Sequence, residues 1–385
     1  MKLILDKLNK NLPLVVYRLP ETEDFMGNNH LLDLNHSGVL SFPGENFEFS
    51  DNPKDCDLIA VLPCEDKIAK QYEFFKENFN GQALLILKLY HAEEHSIIEN
   101  TYKRYQEEFH EFSDRIIPIH MELSSVDGVY YDWLWNQQKA AFTDTELYVH
   151  LYRNSQEGNS KKMYELDEIT IPTGKNKILC ANRVRYDDFS DRSVRRLALN
   201  TYLKGKDALV NDPENKVRFL SQEDVITPEV GFGSFHPIHN LYHRSTYVSA
   251  YVETLTHVNT NDNTVTRCVT EKTFNPLIKG HYILPFGYCG LIKDIQSYGF
   301  RIPDWIDYSY DDIWDTNLRF QRYMYAVEEI MNTPVEELQN LFRRDLDMLL
   351  ENRNLFFIKP YSNMYVGIKV YLQKIADNKN KIRFI

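Results

Sequence analysis

Short, continuous apolar runs alternate with helix-patterned segments along this chain, and that alternation constrains the fold more than any other feature. The runs Asp57–Leu62 and Ala83–Leu89 have the unbroken hydrophobic character of strands that are buried on both faces. Between them, residues 67–80 carry apolar side chains at helical spacing, and Gly81 ends that segment. Strands that alternate with helices form parallel sheets with right-handed crossovers. The sequence therefore predicts an α/β protein.

A polar segment divides the chain into two such units. Residues 154–176 contain Gly and Pro and show no sustained periodicity, which is typical of a linker. The strand–helix alternation begins again at residues 177–181. For 385 residues, at about 150 per domain, we expect an N-terminal α/β domain over residues 1–165 and a C-terminal α/β domain over residues 166–360. Residues 361–385 contain an amphipathic helix that is expected to pack back on the first domain.

The net charge of −12 lies entirely in the first of these domains. Residues 1–165 carry 16 Lys and Arg against 28 Asp and Glu, whereas residues 166–385 carry 28 of each. An acidic surface disfavours non-specific binding to the phosphate backbone, so a nucleic-acid partner is not expected. Any site for an anionic ligand is expected in the second domain.

Neither a membrane span nor a disulfide framework is expected from the sequence. No apolar run reaches the roughly 18 to 20 residues of a membrane-spanning helix, and Asp6, Lys7 and Lys10 interrupt the stretch that a signal peptide would need. The five cysteines are scattered and lack the spacing of a zinc site. A cytoplasmic protein without a bound metal is therefore expected.

The segment Val269–Gly287 has the composition of a phosphate-binding helix start. Thr270 is predicted to cap a helix whose first turn holds Glu271 and Lys272. The N–H groups at such a helix start favour a phosphate, Lys272 adds a cation, and Glu271 can accept hydrogen bonds from a ribose diol. A capping threonine followed by a solvated Glu–Lys pair explains the same residues equally well.

A second segment, Cys180–Leu203, concentrates arginines after a strand. Arg183 follows the strand, and Arg195 and Arg196 lie near the start of the next helix. Arginine side chains bind pyrophosphate through paired hydrogen bonds, which makes this segment the best anion site in the chain. In the alternative interpretation, neighbouring aspartates such as Asp191 pair with these arginines on a solvated face.

Together the two segments resemble the nucleotide-sugar glycosyltransferases of the two-domain GT-B type, in particular the α1,3-fucosyltransferases and their uncharacterised viral and bacterial relatives. The resemblance rests on Tyr251-Val-Glu253, Val269-Thr-Glu-Lys-Thr273 and Gly280-His-Tyr-Ile-Leu-Pro-Phe-Gly287. It covers roughly residues 177–320.

The resemblance implies two Rossmann-like domains that face each other across a cleft, followed by a helical C-terminal segment. It implies that Glu271, Lys272 and Arg196 hold the ribose and the diphosphate of the donor, with Arg195 as the alternative to Arg196. The predicted nucleotide-sugar-binding residues are Arg183, Arg195, Arg196, Glu253, Thr270, Glu271 and Lys272.

The implied reaction moves a sugar from a nucleotide-diphospho-sugar, of UDP or GDP type, to a hydroxyl of a glycan, a protein or another acceptor. An inverting transfer needs a carboxylate that deprotonates the acceptor, and Glu93 or Glu94 is the predicted base. Cations and a helix dipole would stabilise the leaving diphosphate, so neither a metal nor a further cofactor is expected. Two other functions remain open: a non-catalytic protein of this fold that binds nucleotide-sugars or glycans, and a viral glycosyltransferase that modifies DNA bases.

Overall fold

The structure of the protein is a computed structural model. It describes residues 2–18, 46–61, 68–81, 84–89, 95–120, 128–130, 135, 139, 168–182, 190–210, 243–254, 256, 269–360 and 363–382. The chain folds into two compact units, of which the first comprises Met1–Met163 with Tyr361–Ile385 and the second comprises Tyr164–Pro360.

Helices and strands follow one another along both units. In the first unit they are α1 (Lys2–Asn9), β1 (Leu14–Arg18), β2 (Phe47–Phe49), β3 (Leu58–Val61), α2 (Ile68–Asn78), β4 (Leu84–Leu89), α3 (His95–Glu108), β5 (Ile116–His120) and β6 (Val129–Tyr130). In the second unit they are β7 (Ile178–Cys180), α4 (Asp191–Leu203), β8 (Ala208–Val210), β9 (Val248–Val252), α5 (Glu271–Ile278), β10 (Tyr282–Phe286), α6 (Leu291–Ser297), α7 (Thr316–Asn332), α8 (Val335–Arg344) and α9 (Leu346–Ile358). Helix α10 (Met364–Ile382) belongs to the first unit.

The described strands form two sheets in which all pairs are parallel, so the predicted α/β class is confirmed. The strand order is β2-β1-β3-β4-β5-β6 in the first unit and β8-β7-β9-β10 in the second. In each sheet the order reverses beside the first strand, between β1 and β3 and between β7 and β9. Open α/β sheets bind ligands outside the carboxyl ends of their strands at such a reversal.

Asp57 joins the first helix to the first sheet. The Lys7 ammonium group donates to both carboxylate oxygens of Asp57, at 2.7 and 2.8 Å, and the Val15 N–H donates to one of them at 2.8 Å. Because Asp57 is buried, these bonds offset the cost of removing its charge from water. This carboxylate therefore belongs to the packing of the unit.

Helix α10 completes the first unit. Tyr365, Ile368 and Leu372 are buried, and their spacing is that of the apolar stripe of an amphipathic helix. The Tyr365 hydroxyl donates to the carbonyl oxygen of Leu12 at 2.6 Å, and its ring packs edge-on against Phe47 with 5.7 Å between centroids. These bonded residues are 353 positions apart in the sequence.

Strand β10 lies at the edge of the second sheet in the part that the structure describes, and two tyrosines cover its backbone. Tyr308 and Tyr310 donate to the carbonyl oxygens of Ile283 and Pro285, at 2.6 and 2.7 Å. An uncovered edge strand presents unpaired carbonyl groups, and these hydroxyls satisfy two of them. All five residues of β10 are buried, which explains their unbroken apolar sequence.

Local structure departs from the sequence prediction in the aromatic segment 127–142. Its pattern predicts a helix, which is wrong at its start, because Val129 and Tyr130 form strand β6 and pair with Ile119 and His120. Valine and tyrosine fit a pleated strand well, and pairing with a neighbouring strand overrides a weak helical pattern. A strand is also predicted near residues 216–220, which lie outside the described residues, whereas strand β8 is not predicted.

Candidate functional site

The candidate site lies at the carboxyl edge of the second sheet, at the reversal between β7 and β9. Asn182 follows β7, and its amide oxygen accepts a hydrogen bond from the N–H of Val252, the last residue of β9, at 2.9 Å. Its amide nitrogen lies 3.3 Å from the Cys180 sulfur. Asn182 is buried and therefore joins the two strand ends across the reversal.

Helix α5 starts beside this edge, with Thr270 as its cap. The Thr270 hydroxyl accepts a hydrogen bond from the N–H of Lys272 at 3.3 Å, so the predicted cap is confirmed. Glu271 and Lys272 are the first two helical residues, and the side chain of Glu271 lies outside the described part of the structure. The first N–H groups of the helix and the positive end of its dipole are thus joined to the carboxyl end of β9.

Glu253, which follows β9, is hydrogen-bonded to residues at the start of helix α5. Its fully buried carboxylate accepts hydrogen bonds from the Thr270 hydroxyl, from the Thr273 hydroxyl at 2.8 Å, and from the N–H groups of Thr254 and Thr270 at 3.2 and 3.3 Å. The Tyr251 hydroxyl donates to the Thr273 oxygen at 2.8 Å, and burial raises the pKa of Tyr251 well above its usual range, so this hydroxyl keeps its proton. The predicted ligand-binding residue Glu253 therefore has protein groups around its carboxylate.

Arg196 reaches the same strand end from helix α4. Its guanidinium group donates to the Val252 carbonyl oxygen at 3.0 and 3.2 Å, and Nη2 lies 3.5 Å from the Glu253 carbonyl oxygen. The side chain is 8% exposed. Carbonyl groups at the end of β9 thus fix the direction of a predicted diphosphate-binding cation.

Lys272 is the half-buried cation of the helix start. Its Nζ atom lies 3.4 Å from the hydroxyl oxygens of both Thr254 and Thr270. Lys272 and Arg196 therefore both contact the short segment that leaves β9. Two of the predicted site residues from distant parts of the sequence are brought together here.

Arg195, the alternative to Arg196, is held by an acid of its own helix. Its guanidinium group forms a two-pronged ion pair with Asp191, at 2.7 and 2.8 Å, and donates to the Asn317 side chain at 2.9 Å. It also lies over the rings of Phe286 and Phe320, 5.5 and 5.0 Å from their centroids. The interpretation in which an aspartate pairs with an arginine holds for this residue, although the arginine is buried rather than on a solvated face.

Three other predicted site residues lie outside the described residues. Glu93 and Glu94 precede helix α3, which begins at His95, and Arg183 follows the described residue Asn182. Their roles as base and as donor-binding cation stay predictions.

Arg319, which no motif in the sequence singles out, is a fully buried cation on helix α7. It donates to the carbonyl oxygens of Gly287, Ile313 and Trp314 at 3.1, 2.7 and 3.1 Å, and also to that of Thr256. Burial lowers the pKa of Arg319. An arginine on the core-facing stripe of an amphipathic helix is the sequence signal that could have revealed it.

A cavity near the amino ends of β9 and β10 is too small for a substrate. Its lining includes His243, Lys279 and Arg353. Its volume of about 20 Å³ holds about one water molecule. This cavity therefore offers no rival to the carboxyl edge.

The described ranges contain dispersed metal-ligating side chains and a buried thiol. No three His, Cys, Asp or Glu side chains come together there as a metal-binding group. Burial raises the pKa of the Cys180 thiol to about 12, so that thiol is not ionised at neutral pH. Among the helices of the described part, none has the length and apolar character needed to cross a membrane.

Comparisons with known proteins give one structural likeness. No protein-family model matches this chain, and no curated protein matches it. A solved structure described as "Crystal Structure of alpha1,3-Fucosyltransferase" is similar to this chain with 11% sequence identity and a TM-score of 0.36, over 91% of this chain and 93% of that one. At that TM-score the two structures do not establish a shared fold.

Proposed function

We propose that the protein is a glycosyltransferase of GT-B-like architecture whose second unit binds a nucleotide-diphospho-sugar. The observation that carries the proposal is the convergence of Arg196 and Lys272 on residues 252–254, at the strand-order reversal of a parallel sheet. The positive end of helix α5 adds to the charge of these two cations. Diphosphates bind where N–H groups at a helix start and charged side chains combine.

The proposed reaction is an inverting transfer to a hydroxyl acceptor. Glu93 or Glu94 takes the proton of the acceptor hydroxyl while the oxygen of that hydroxyl forms a bond to the anomeric carbon of the donor sugar. The bond from that carbon to the diphosphate oxygen breaks, and its electron pair leaves with the diphosphate. Lys272, Arg196 and the start of α5 stabilise the added negative charge, so the proposed reaction needs no metal.

Titration of the protein with UDP, GDP and dTDP tests the donor site. A nucleotide that binds the native state is expected to raise the melting temperature, because a ligand at about 100 times its Kd adds about 2.7 kcal/mol to the free energy of unfolding. Isothermal titration calorimetry then gives the Kd for the base that binds. The absence of any shift and any heat with all three nucleotides would contradict the proposed function.

Replacement of Lys272 by alanine is expected to weaken nucleoside diphosphate binding by about 10- to 100-fold. A charge-assisted hydrogen bond to phosphate contributes about 1.5–3 kcal/mol, and each 1.4 kcal/mol is a factor of ten. Lys206→Ala is the matched control, because it removes the same charge from the same unit beside the amino end of β8. Equal affinities of the two variants would mean that Lys272 does not contact the diphosphate.

Turnover separates an enzyme from a binding protein with the same fold. A glycosyltransferase is expected to hydrolyse or transfer its donor slowly, and Glu93→Gln or Glu94→Gln is expected to abolish the transfer while nucleotide binding remains. Nucleotide binding without turnover, unchanged in both variants, would indicate a non-catalytic protein. Binding to duplex DNA that weakens steeply with salt would instead point to a nucleic-acid acceptor.

A further inference from the structure

Each oxygen of the buried Glu253 carboxylate accepts two hydrogen bonds, one from a hydroxyl group and one from a backbone N–H group. Oε1 accepts from the Thr273 hydroxyl and the Thr270 N–H, and Oε2 accepts from the Thr270 hydroxyl and the Thr254 N–H. A buried charge is tolerated only when it is paired or fully hydrogen-bonded, and here four donors from the protein surround it. Both oxygens are thus committed to the protein.

The direction of these hydrogen bonds determines what the Thr270 hydroxyl can do. Its proton points to Glu253, so its oxygen is available only as an acceptor. That oxygen accepts from the Lys272 N–H at 3.3 Å and lies 3.4 Å from the Lys272 ammonium group. The carboxylate therefore orients a hydroxyl that in turn holds both the backbone and the side chain of Lys272.

The second threonine has a different neighbour. The Thr273 hydroxyl also donates to Glu253, but its oxygen accepts from the Tyr251 hydroxyl at 2.8 Å. The two threonines thus each donate to one carboxylate, while Thr270 accepts from Lys272 and Thr273 accepts from Tyr251. This asymmetry separates an effect on the site from an effect on packing.

We propose that Glu253 is a positioning residue of the nucleotide site, which acts on Lys272 through the Thr270 hydroxyl and does not contact the ligand. The inference rests on the proposed function, because Lys272 is the proposed diphosphate-binding cation. Glu253→Gln is the sharpest change of this carboxylate. Whichever oxygen becomes the amide NH₂ group, that group faces a backbone N–H donor, either of Thr254 or of Thr270.

A double-mutant cycle tests the route from Glu253 to Lys272. Glu253→Gln and Thr270→Val are each expected to weaken binding of the nucleoside diphosphate about tenfold, as the loss of a helix cap would. The double variant is expected to bind as weakly as the weaker single variant, because both changes remove the same restraint. Additive losses would overturn the inference.

Thr273→Val is the matched control for this cycle. It removes an equivalent hydroxyl from the same carboxylate and is expected to lower the melting temperature as Thr270→Val does, with less than about a twofold change in Kd. Thr270→Ser keeps the hydroxyl and is expected to restore binding to within about twofold. Equal losses of affinity in Thr270→Val and Thr273→Val would show that Glu253 has a purely structural role, and this result would overturn the inference.

Amide hydrogen exchange in the absence of nucleotide keeps this inference separate from the proposed function. The Lys272 N–H is expected to exchange faster in Glu253→Gln and Thr270→Val than in Thr273→Val. Thr270→Val removes the acceptor of this N–H and Glu253→Gln disturbs the carboxylate that orients the acceptor, whereas Thr273→Val leaves both in place. If the wild-type protein binds no nucleotide but the three variants show this exchange pattern, the proposed function is contradicted and the coupling of Glu253 to the start of α5 is retained. Nucleotide binding with unchanged exchange at Lys272 would overturn the coupling alone.

Discussion

Replacement of Arg319 by methionine is expected to lower the free energy of unfolding by about 5 kcal/mol. Arg319 is 0% exposed, and its guanidinium group bonds to four backbone carbonyl oxygens, from Thr256, Gly287, Ile313 and Trp314. Each buried acceptor that loses its donor costs about 1–3 kcal/mol, and methionine has no N–H group to offer. Because a domain is stable by only about 5–15 kcal/mol, this variant is expected to be near the limit of folding at room temperature.

Arg322→Met provides the control for that variant. Arg322 lies on the same helix, α7, and is exposed, with its guanidinium group 5.8 Å from the centroid of the Tyr325 ring. Its replacement is expected to change the free energy of unfolding by less than about 0.5 kcal/mol. Urea unfolding of the full chain at neutral pH measures both values. Similar free energies of unfolding of the two variants would show that the hydrogen bonds from Arg319 to the four carbonyl oxygens are not formed in solution.

Two buried groups, His281 and Asp311, are expected to make opposing contributions to the stability of the second unit between about pH 4 and pH 6.5. Burial lowers the pKa of His281 from 6.5 to about 4 and raises the pKa of Asp311 from 3.8 to about 7. The unfolded chain holds the His281 proton in this range and the folded protein does not, so this group makes stability fall as the pH falls. The folded protein holds the Asp311 proton and the unfolded chain does not, so this group makes stability fall as the pH rises. Each contributes a slope of about 1.4 kcal/mol per pH unit.

Two single variants expose these opposing slopes. In Asp311→Asn, His281 acts unopposed and the free energy of unfolding is expected to rise by about 1.4 kcal/mol per pH unit, while in His281→Gln it is expected to fall by about as much. Urea unfolding at several pH values in this window measures the slopes, and the groups that titrate alike in both variants cancel in the comparison. Parallel slopes would contradict the assigned ionisation of both groups.

The neighbours of these two groups explain why burial governs their pKa values. The His281 ring nitrogens lie 2.7 Å from the Thr246 carbonyl oxygen and 2.7 Å from the Ser249 hydroxyl, which together suit a neutral imidazole. Asp311 accepts one backbone hydrogen bond, from Ile292 at 2.9 Å, which only partly offsets the cost of burying its charge.

The fold class and the start of helix α5 could be predicted from the sequence, because both depend on local pattern. Strand β10 consists of five buried residues, and a run buried on both faces reads as unbroken apolar sequence. The cap at Thr270 needs only residues within one turn, and Gly280, with a φ of 70°, lies just past the end of α5. Signals of this kind lie within a window of a few residues.

The roles of Glu253 and Arg319 could not be predicted, because their partners are distant in the sequence. Glu253 bonds to Thr270 across 17 positions, and Arg319 bonds to Thr256 across 63. The residues that flank Glu253 and Arg319 in the sequence do not predict whether these side chains face water, a ligand or the backbone of another element. The same holds for Arg195 and Arg196, neighbours on helix α4 that bond to different partners.

The hydrogen bond between Tyr365 and Leu12 sets an order of assembly during translation. At about 5–20 residues per second, a ribosome needs about 20 to 70 seconds to synthesise the 353 positions that separate the two residues. Throughout that time the nascent first unit lacks helix α10, whereas the second unit, Tyr164–Pro360, is contiguous and complete before α10 has been made. The unit that is translated second is therefore able to mature first, and the faces of the first unit that α10 covers are available to chaperones until then.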